Sequence, residues 1–131
     1  MQIIIQPLEK AVKSLDEVLK LPFDDIIRDS AIQRFEYTFE LSWKMLKRFL
    51  KEAFEVETDE MSYIEIAKNA SKKGLISNPD LWLEFRKARN YTSHAYSESG
   101  AEQSYASSEL FLPEVQALLE KFKEINQTLL L

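Results

Sequence analysis

No cysteine occurs in this chain, and its 131 residues hold one histidine, two glycines and four prolines. Each shortage excludes something. Without cysteine there is no disulfide and no thiolate metal site, and a reducing cytoplasm is the expected compartment. A single imidazole gives little from which to build a metal centre, so no metal or cofactor is expected in this chain. Two isolated glycines cannot form a glycine-rich phosphate loop. With so few turn formers the chain runs in long uninterrupted segments, and strand-type alternation is scarce, which predicts helices. Long apolar runs are missing too. No segment approaches the ~20 apolar residues of a membrane span. The opening MQIIIQPLEK lacks a basic n-region and is interrupted at once by Pro7 and Glu9, so it does not read as a signal peptide. Positive charge is also in deficit: Lys and Arg total 17 against 22 Asp and Glu, a formal net charge of −5. A general nucleic-acid binder would be basic, so any contact with RNA is expected at a local spot, best represented by FRKAR at 85–89.

The hydrophobic content of 45% suits one compact domain over residues 1–131. The first helix is predicted from about Pro7, at the first helical position, to Leu19, with Leu8, Val12, Leu15 and Leu19 in one stripe. LPFDD (21–25) breaks it. The second helix is predicted from about Asp25 to Ala53. At ~100° per residue, Ile32, Phe35, Phe39, Trp43, Met45, Leu46, Phe49 and Leu50 fall in one arc of about 160°. The opposite arc collects Asp29, Gln33, Glu36, Glu40, Lys44, Lys47 and Lys51. It reads either as a solvated face with pairs such as Glu40–Lys44, or as a polar wall of Asp29, Gln33, Glu36 and Glu40 facing a partner or a site. A short third helix is predicted over Ser62 to Lys73, with capping-box spacing between Ser62 and Glu65 and Gly74 as the terminating glycine. Asn78, Pro79 and Asp80 open the fourth, whose Leu81, Trp82, Phe85 and Ala88 face inward. The last is predicted from about Ala101 to Ile125, with Ala101, Tyr105, Ser108, Leu112, Val115, Leu119 and Phe122 in phase across a kink at Pro113. The sum is an all-α, up-and-down bundle of about five helices.

The segment RNYTSHAY (89–96) carries the only histidine, His94. It reads either as the ordinary polar end of a helix or as a phosphate site. Arginine forks onto phosphate with fixed geometry, and histidine exchanges protons near neutral pH, so Arg89 and His94 form a natural pair for phosphodiester chemistry. On an unbroken helix the two would stand ~140° apart. They can face one phosphate only if the helix ends or bends near Asn90–Ser93, where Asn, Tyr, Thr and Ser are middling helix formers. A serine nucleophile would have to use the same histidine, and no strand–turn–helix elbow accompanies it.

RNYTSHAY also fits the R-x4-6-H motif, followed by x-Y, of the HEPN domain family. IIRDSAIQRFEYTFELSWKMLK (26–47) resembles the first block of one HEPN branch, the nucleotidyltransferase substrate-binding proteins, and GLI (74–76) with WLEFRKARNYTSHAYSE (82–98) resembles the second. Ala88 departs from the pattern, which has an acidic residue there. The resemblance implies a HEPN-like helical bundle that forms a homodimer. It implies a separately encoded minimal nucleotidyltransferase as partner, with ATP and magnesium on that partner, in a toxin–antitoxin type of module. Carried over by position, Arg89 and His94 would be a metal-independent RNase pair, Asn90 would support them, and Tyr96 would accept AMP. Cleavage through the 2′-hydroxyl needs both a base and an acid, and one chain offers one histidine, so an RNase would require two copies of the chain. Three functions follow as expectations: a nucleotidyltransferase-binding subunit that presents Tyr96, an RNase toxin, and an inert helical scaffold.

Overall fold

Most helix starts in this chain are capped by short polar side chains, and two helix ends are closed by a residue in the left-handed region. In the computed structural model, which describes residues 2–129, α1 spans Gln6–Leu19, α2 Asp25–Phe54, α3 Tyr63–Lys72, α4 Pro79–Tyr91 and α5 Glu98–Leu129, with a 3-10 turn at Thr92–His94 between the last two. Met1, Leu130 and Leu131, the ends of the expected 1–131 unit, lie outside the described residues. The fold is an all-α bundle, as the periodicity predicts. Asp24 caps α2 by accepting the Ile27 N–H at 2.7 Å, and Asn78 caps α4 by accepting the Leu81 N–H at 3.1 Å. The capping box of α3 is formed in both directions by Ser62 and Glu65. Gly74 closes α3 at φ 77°, and the Leu75 N–H returns to the Ala70 carbonyl at 2.9 Å. That is the left-handed stop its position predicts. α2 ends the same way without a glycine: Glu55 stands at φ 56° and the Val56 N–H reaches the Leu50 carbonyl at 2.9 Å.

The starts of α1 and α5 differ from the sequence reading. α1 begins at Gln6, so Pro7 takes the second helical position, where its missing N–H is equally harmless. α5 begins at Glu98 rather than Ala101, because Ser97 caps it, accepting the Gly100 N–H at 3.1 Å. It then runs through Pro113 as one element. Pro113 lies on the exposed side, as does Glu109, whose carbonyl would take the N–H that proline lacks.

α2 is the central helix and packs against the other four. Phe35, Phe39, Trp43, Leu46, Phe49 and Leu50 are buried along its apolar arc, as predicted. An aromatic cluster joins three helices: Phe111 of α5 meets Phe35 and Phe39 of α2 and Trp82 and Phe85 of α4, with ring centroids 5.2, 5.9, 5.6 and 5.2 Å away. The sequence stripe placed Leu112 here. The structure buries Phe111 and leaves Leu112 at the margin. A three-residue step from Ser108, rather than four, keeps the stripe centred on its neighbours. At the opposite end, Asn126 accepts the Ile3 N–H at 2.9 Å and donates to the Ile3 carbonyl at 2.8 Å, tying the extended N-terminal segment to α5. No helix among the described residues is long and apolar enough to cross a membrane.

Candidate functional site

The backbone turns where the arginine–histidine pair requires it. α4 ends at Tyr91, and the Thr92 N–H is shared between the Ala88 and Arg89 carbonyls, the changeover from four-residue to three-residue bonding. The turn that follows carries His94, whose carbonyl accepts the Ser97 N–H at 3.2 Å and the Ser97 hydroxyl at 3.1 Å. Gly100, in the first turn of α5, lies directly under that carbonyl. A Cβ there would overlap the His94 oxygen and lie within 2.8 Å of Ser97 Oγ. Its lack of a side chain lets the turn and α5 close on each other.

Arg89 is half-buried against the polar face of α2. Its Nε is 3.0 Å from Glu40 Oε1 and its Nη1 is 3.7 Å from Glu36 Oε2. The Nε group is nevertheless buried with no aligned hydrogen-bond acceptor, so Glu40 is an ionic neighbour rather than a hydrogen-bond partner. The expected Glu40–Lys44 pair gives way to this contact. Of the proposed polar wall, Glu36, Glu40 and Gln33 line one shallow groove with Arg89, Tyr37 and Lys44. Asp29 sits apart and pairs with Arg28 at 3.2 Å. Arg28 itself is buried and donates to Glu98 at 2.9 Å, which fastens the start of α5 to α2. Burial works to lower the Arg28 pKa, but the hydrogen bond to Asp29 and the charges of Glu98, Asp29 and Asp25 outweigh it and leave it raised.

His94 is exposed, its ring 5.0 Å from that of Tyr91 and 6.2 Å from that of Tyr96. Tyr96 lies outside both helices and is 87% exposed. Asn90 is exposed, with its carbonyl accepting the Ser93 hydroxyl. The basic spot at 85–89 disperses: Arg86 lies 3.5 Å over the Tyr63 ring, Lys87 pairs with Glu84, and Arg89 faces Glu36 and Glu40. Among the described residues, no group of three or more His, Asp and Glu converges as a metal site.

A family model described as "nucleotidyltransferase substrate binding protein like" matches residues 4–124, a span that includes both helix blocks and the Arg89–Tyr96 turn. The chain belongs to this family. Among its relatives is a protein of Haemophilus influenzae named probable ribonuclease HepT, 38% identical over 106 residues, which cover 79% of this chain and 72% of that one. Two solved structures share the fold. One, from Haemophilus influenzae and described as a substrate binding domain of a nucleotidyltransferase, has a TM-score of 0.83 at 31% identity and covers 92% of this chain and 99% of its own. The other, from Thermus thermophilus, has a TM-score of 0.79 at 31% identity over 88% of this chain and 98% of its own. The chain thus belongs to the expected branch and has its helical fold, and its Arg89–His94 segment lies at the end of α4.

Proposed function

We propose that this chain is the HEPN subunit of a two-component cytoplasmic system, binding a separately encoded minimal nucleotidyltransferase and presenting Tyr96 to it for adenylylation. The observation that carries this reading is the exposure of Tyr96 on a short connection, where a partner's active site can reach its hydroxyl. The family description supports the partner. A neutral phenol is a weak nucleophile, so the Tyr96 oxygen needs activation by the partner, which also brings ATP and magnesium. The phenol oxygen attacks the α-phosphorus of ATP, pyrophosphate leaves, and the phenol proton passes to a base on the partner. Mass spectrometry after incubation with the partner and ATP should show one AMP on Tyr96 and none on Tyr96→Phe. An unmodified chain in a complex shown to be assembled and ATP-bound would refute the reading.

A second reading has an observation of its own. Arg89 stands in the last turn of α4 and His94 in the 3-10 turn that breaks the helix after it, the break a shared phosphate requires, and a relative is named a probable ribonuclease. In this reading the 2′-hydroxyl of RNA attacks the adjacent phosphorus and the 5′-oxygen leaves. His94 of each chain in a homodimer supplies one of the two proton transfers, and Arg89 holds the phosphate charge. Arg89→Ala and His94→Ala should each abolish cleavage with the fold intact, and a stably monomeric variant should not cut. The two readings combine naturally, since AMP on Tyr96 would sit beside the His94 ring and block it. A chain inert in both assays would instead be a helical scaffold.

A further inference from the structure

Thr92 is the buried residue of the motif, and its hydroxyl is committed on both sides. It donates to the Arg89 carbonyl at 2.6 Å, and its oxygen lies 3.4 Å from Arg89 Nη1, from which it accepts. Other hydroxyls at this end also bond a carbonyl three residues back, as Ser93 does to Asn90 and Ser97 to His94. Those two serve the backbone alone. Thr92 differs because its oxygen, while its proton goes to the Arg89 carbonyl, also accepts from the guanidinium of the same arginine. The chain Nη1–H···Oγ–H···O=C is a short hydrogen-bond relay in which each link orients the next. Thr92 also stands at the changeover from α-helix to 3-10 turn, so the hydroxyl that turns the guanidinium also fixes where the backbone bends toward His94.

We infer that Thr92 is a positioning residue for the Arg89–His94 pair, setting the direction of the guanidinium and the start of the turn that carries the imidazole. The inference rests on the RNase reading above for its consequence in catalysis. Its structural content stands separately. Without the hydroxyl, Arg89 keeps only Glu36 and Glu40, neither aligned for a hydrogen bond with it, and the guanidinium settles toward α2.

The test uses Thr92→Val, which keeps the branched shape and removes the hydroxyl, and Thr92→Ser, which restores it. Both should melt within a few degrees of the parent. In cleavage of a short single-stranded oligoribonucleotide, Thr92→Val should lose about 10- to 100-fold in kcat, the loss expected when a reacting group is misplaced by about an ångström. Thr92→Ser should return to within about threefold. The pH–rate limb due to His94 should not move, because the proton-transfer group is unchanged. In parallel, the side-chain Nε–Hε NMR signal of Arg89 should shift and broaden in Thr92→Val and return in Thr92→Ser. Full activity and an unchanged arginine signal in Thr92→Val would overturn the inference. So would equal impairment in the two variants, which would assign Thr92 to packing. If the parent chain does not cleave RNA at all, the RNase reading falls, and the Arg89 signal alone decides the positioning role.

Discussion

Arg89 Nε lies 3.0 Å from Glu40 Oε1, joining the motif to the polar face of α2. With Glu36 beside them, one cation faces two carboxylates, and the buried Nε–H still lacks an aligned acceptor. A buried donor in that state carries a standing cost. The carboxylates meanwhile repel any phosphate that approaches. Glu40→Gln removes one of the two charges and keeps the shape. It should tighten binding of an uncleavable 2′-deoxy oligonucleotide by about 3- to 10-fold at low salt, with the gain fading as salt screens the exposed charges. Stability should change by no more than about 1 kcal/mol, because the pair is half-exposed. Weaker binding at low salt would show that Glu40 serves Arg89 rather than competing for it.

Glu55 ends α2 in the left-handed region at φ 56°, where a side chain costs about 1–2 kcal/mol and glycine does not. Its carboxylate is exposed, and the Val56–Leu50 bond that closes the helix uses backbone only. Glycine in the unfolded chain loses part of this gain to its greater freedom. Glu55→Gly should therefore stabilise the protein by about 1 kcal/mol, read as a higher urea midpoint with an unchanged m-value. A lower midpoint would mean that Glu55 makes a stabilising interaction beyond its backbone role.

Asn126 is buried and satisfies both backbone groups of Ile3. Asn126→Leu keeps the volume and leaves a buried N–H and a buried C=O without partners, each costing about 1–3 kcal/mol. The expected loss is about 2–4 kcal/mol, with release of Ile3 and Ile5 from the core. Hydrogen exchange should show the Ile3 amide lose its protection before the α2 amides change. Protection unchanged at Ile3 would contradict the clamp.

The helices were legible in the sequence because their signals are local: caps one to three residues from the start, stripes at a fixed period, and a glycine after the stop. The arc of α2 and the caps of α3 and α4 stand as the residues predict. What sequence reasoning missed depends on contacts between distant segments. By sequence Glu36 and Glu40 fit a polar wall facing a site, and helical spacing offers Lys44 to Glu40; that Arg89 is their neighbour follows only from the packing of α2 and α4. Arg28 is an ordinary surface cation by type, yet it is buried under Glu98, 70 residues away. Phe111 and Leu112 both fit a helical stripe, and only the position of Trp82 and Phe85 across the core selects Phe111. Thr92 and Gly100 left fainter marks. Thr92 sits in the stretch where a bend was required, and Gly100 is one of only two glycines, but a turn signal alone does not disclose which atoms approach it.

Gly100 gives the sharpest check on how the turn is built. In an unobstructed helix, replacing glycine by alanine stabilises by roughly 0.5–1 kcal/mol. Here the new methyl group would overlap the His94 carbonyl, which is backbone and cannot rotate away. Gly100→Ala must displace either the His94 turn or the first turn of α5, at a cost of about 1–3 kcal/mol typical of overpacking. The sign of the effect therefore separates the two situations. Ser99→Ala, at the exposed neighbouring position, is the control and should stay within about 0.5 kcal/mol of the parent. The displacement should also appear as shifted His94 ring signals and, if the chain cleaves RNA, as a loss of activity larger than the loss of stability explains at temperatures where both proteins are folded. A Gly100→Ala chain that is more stable than the parent, with His94 signals in place, would mean that the turn does not rest on this glycine.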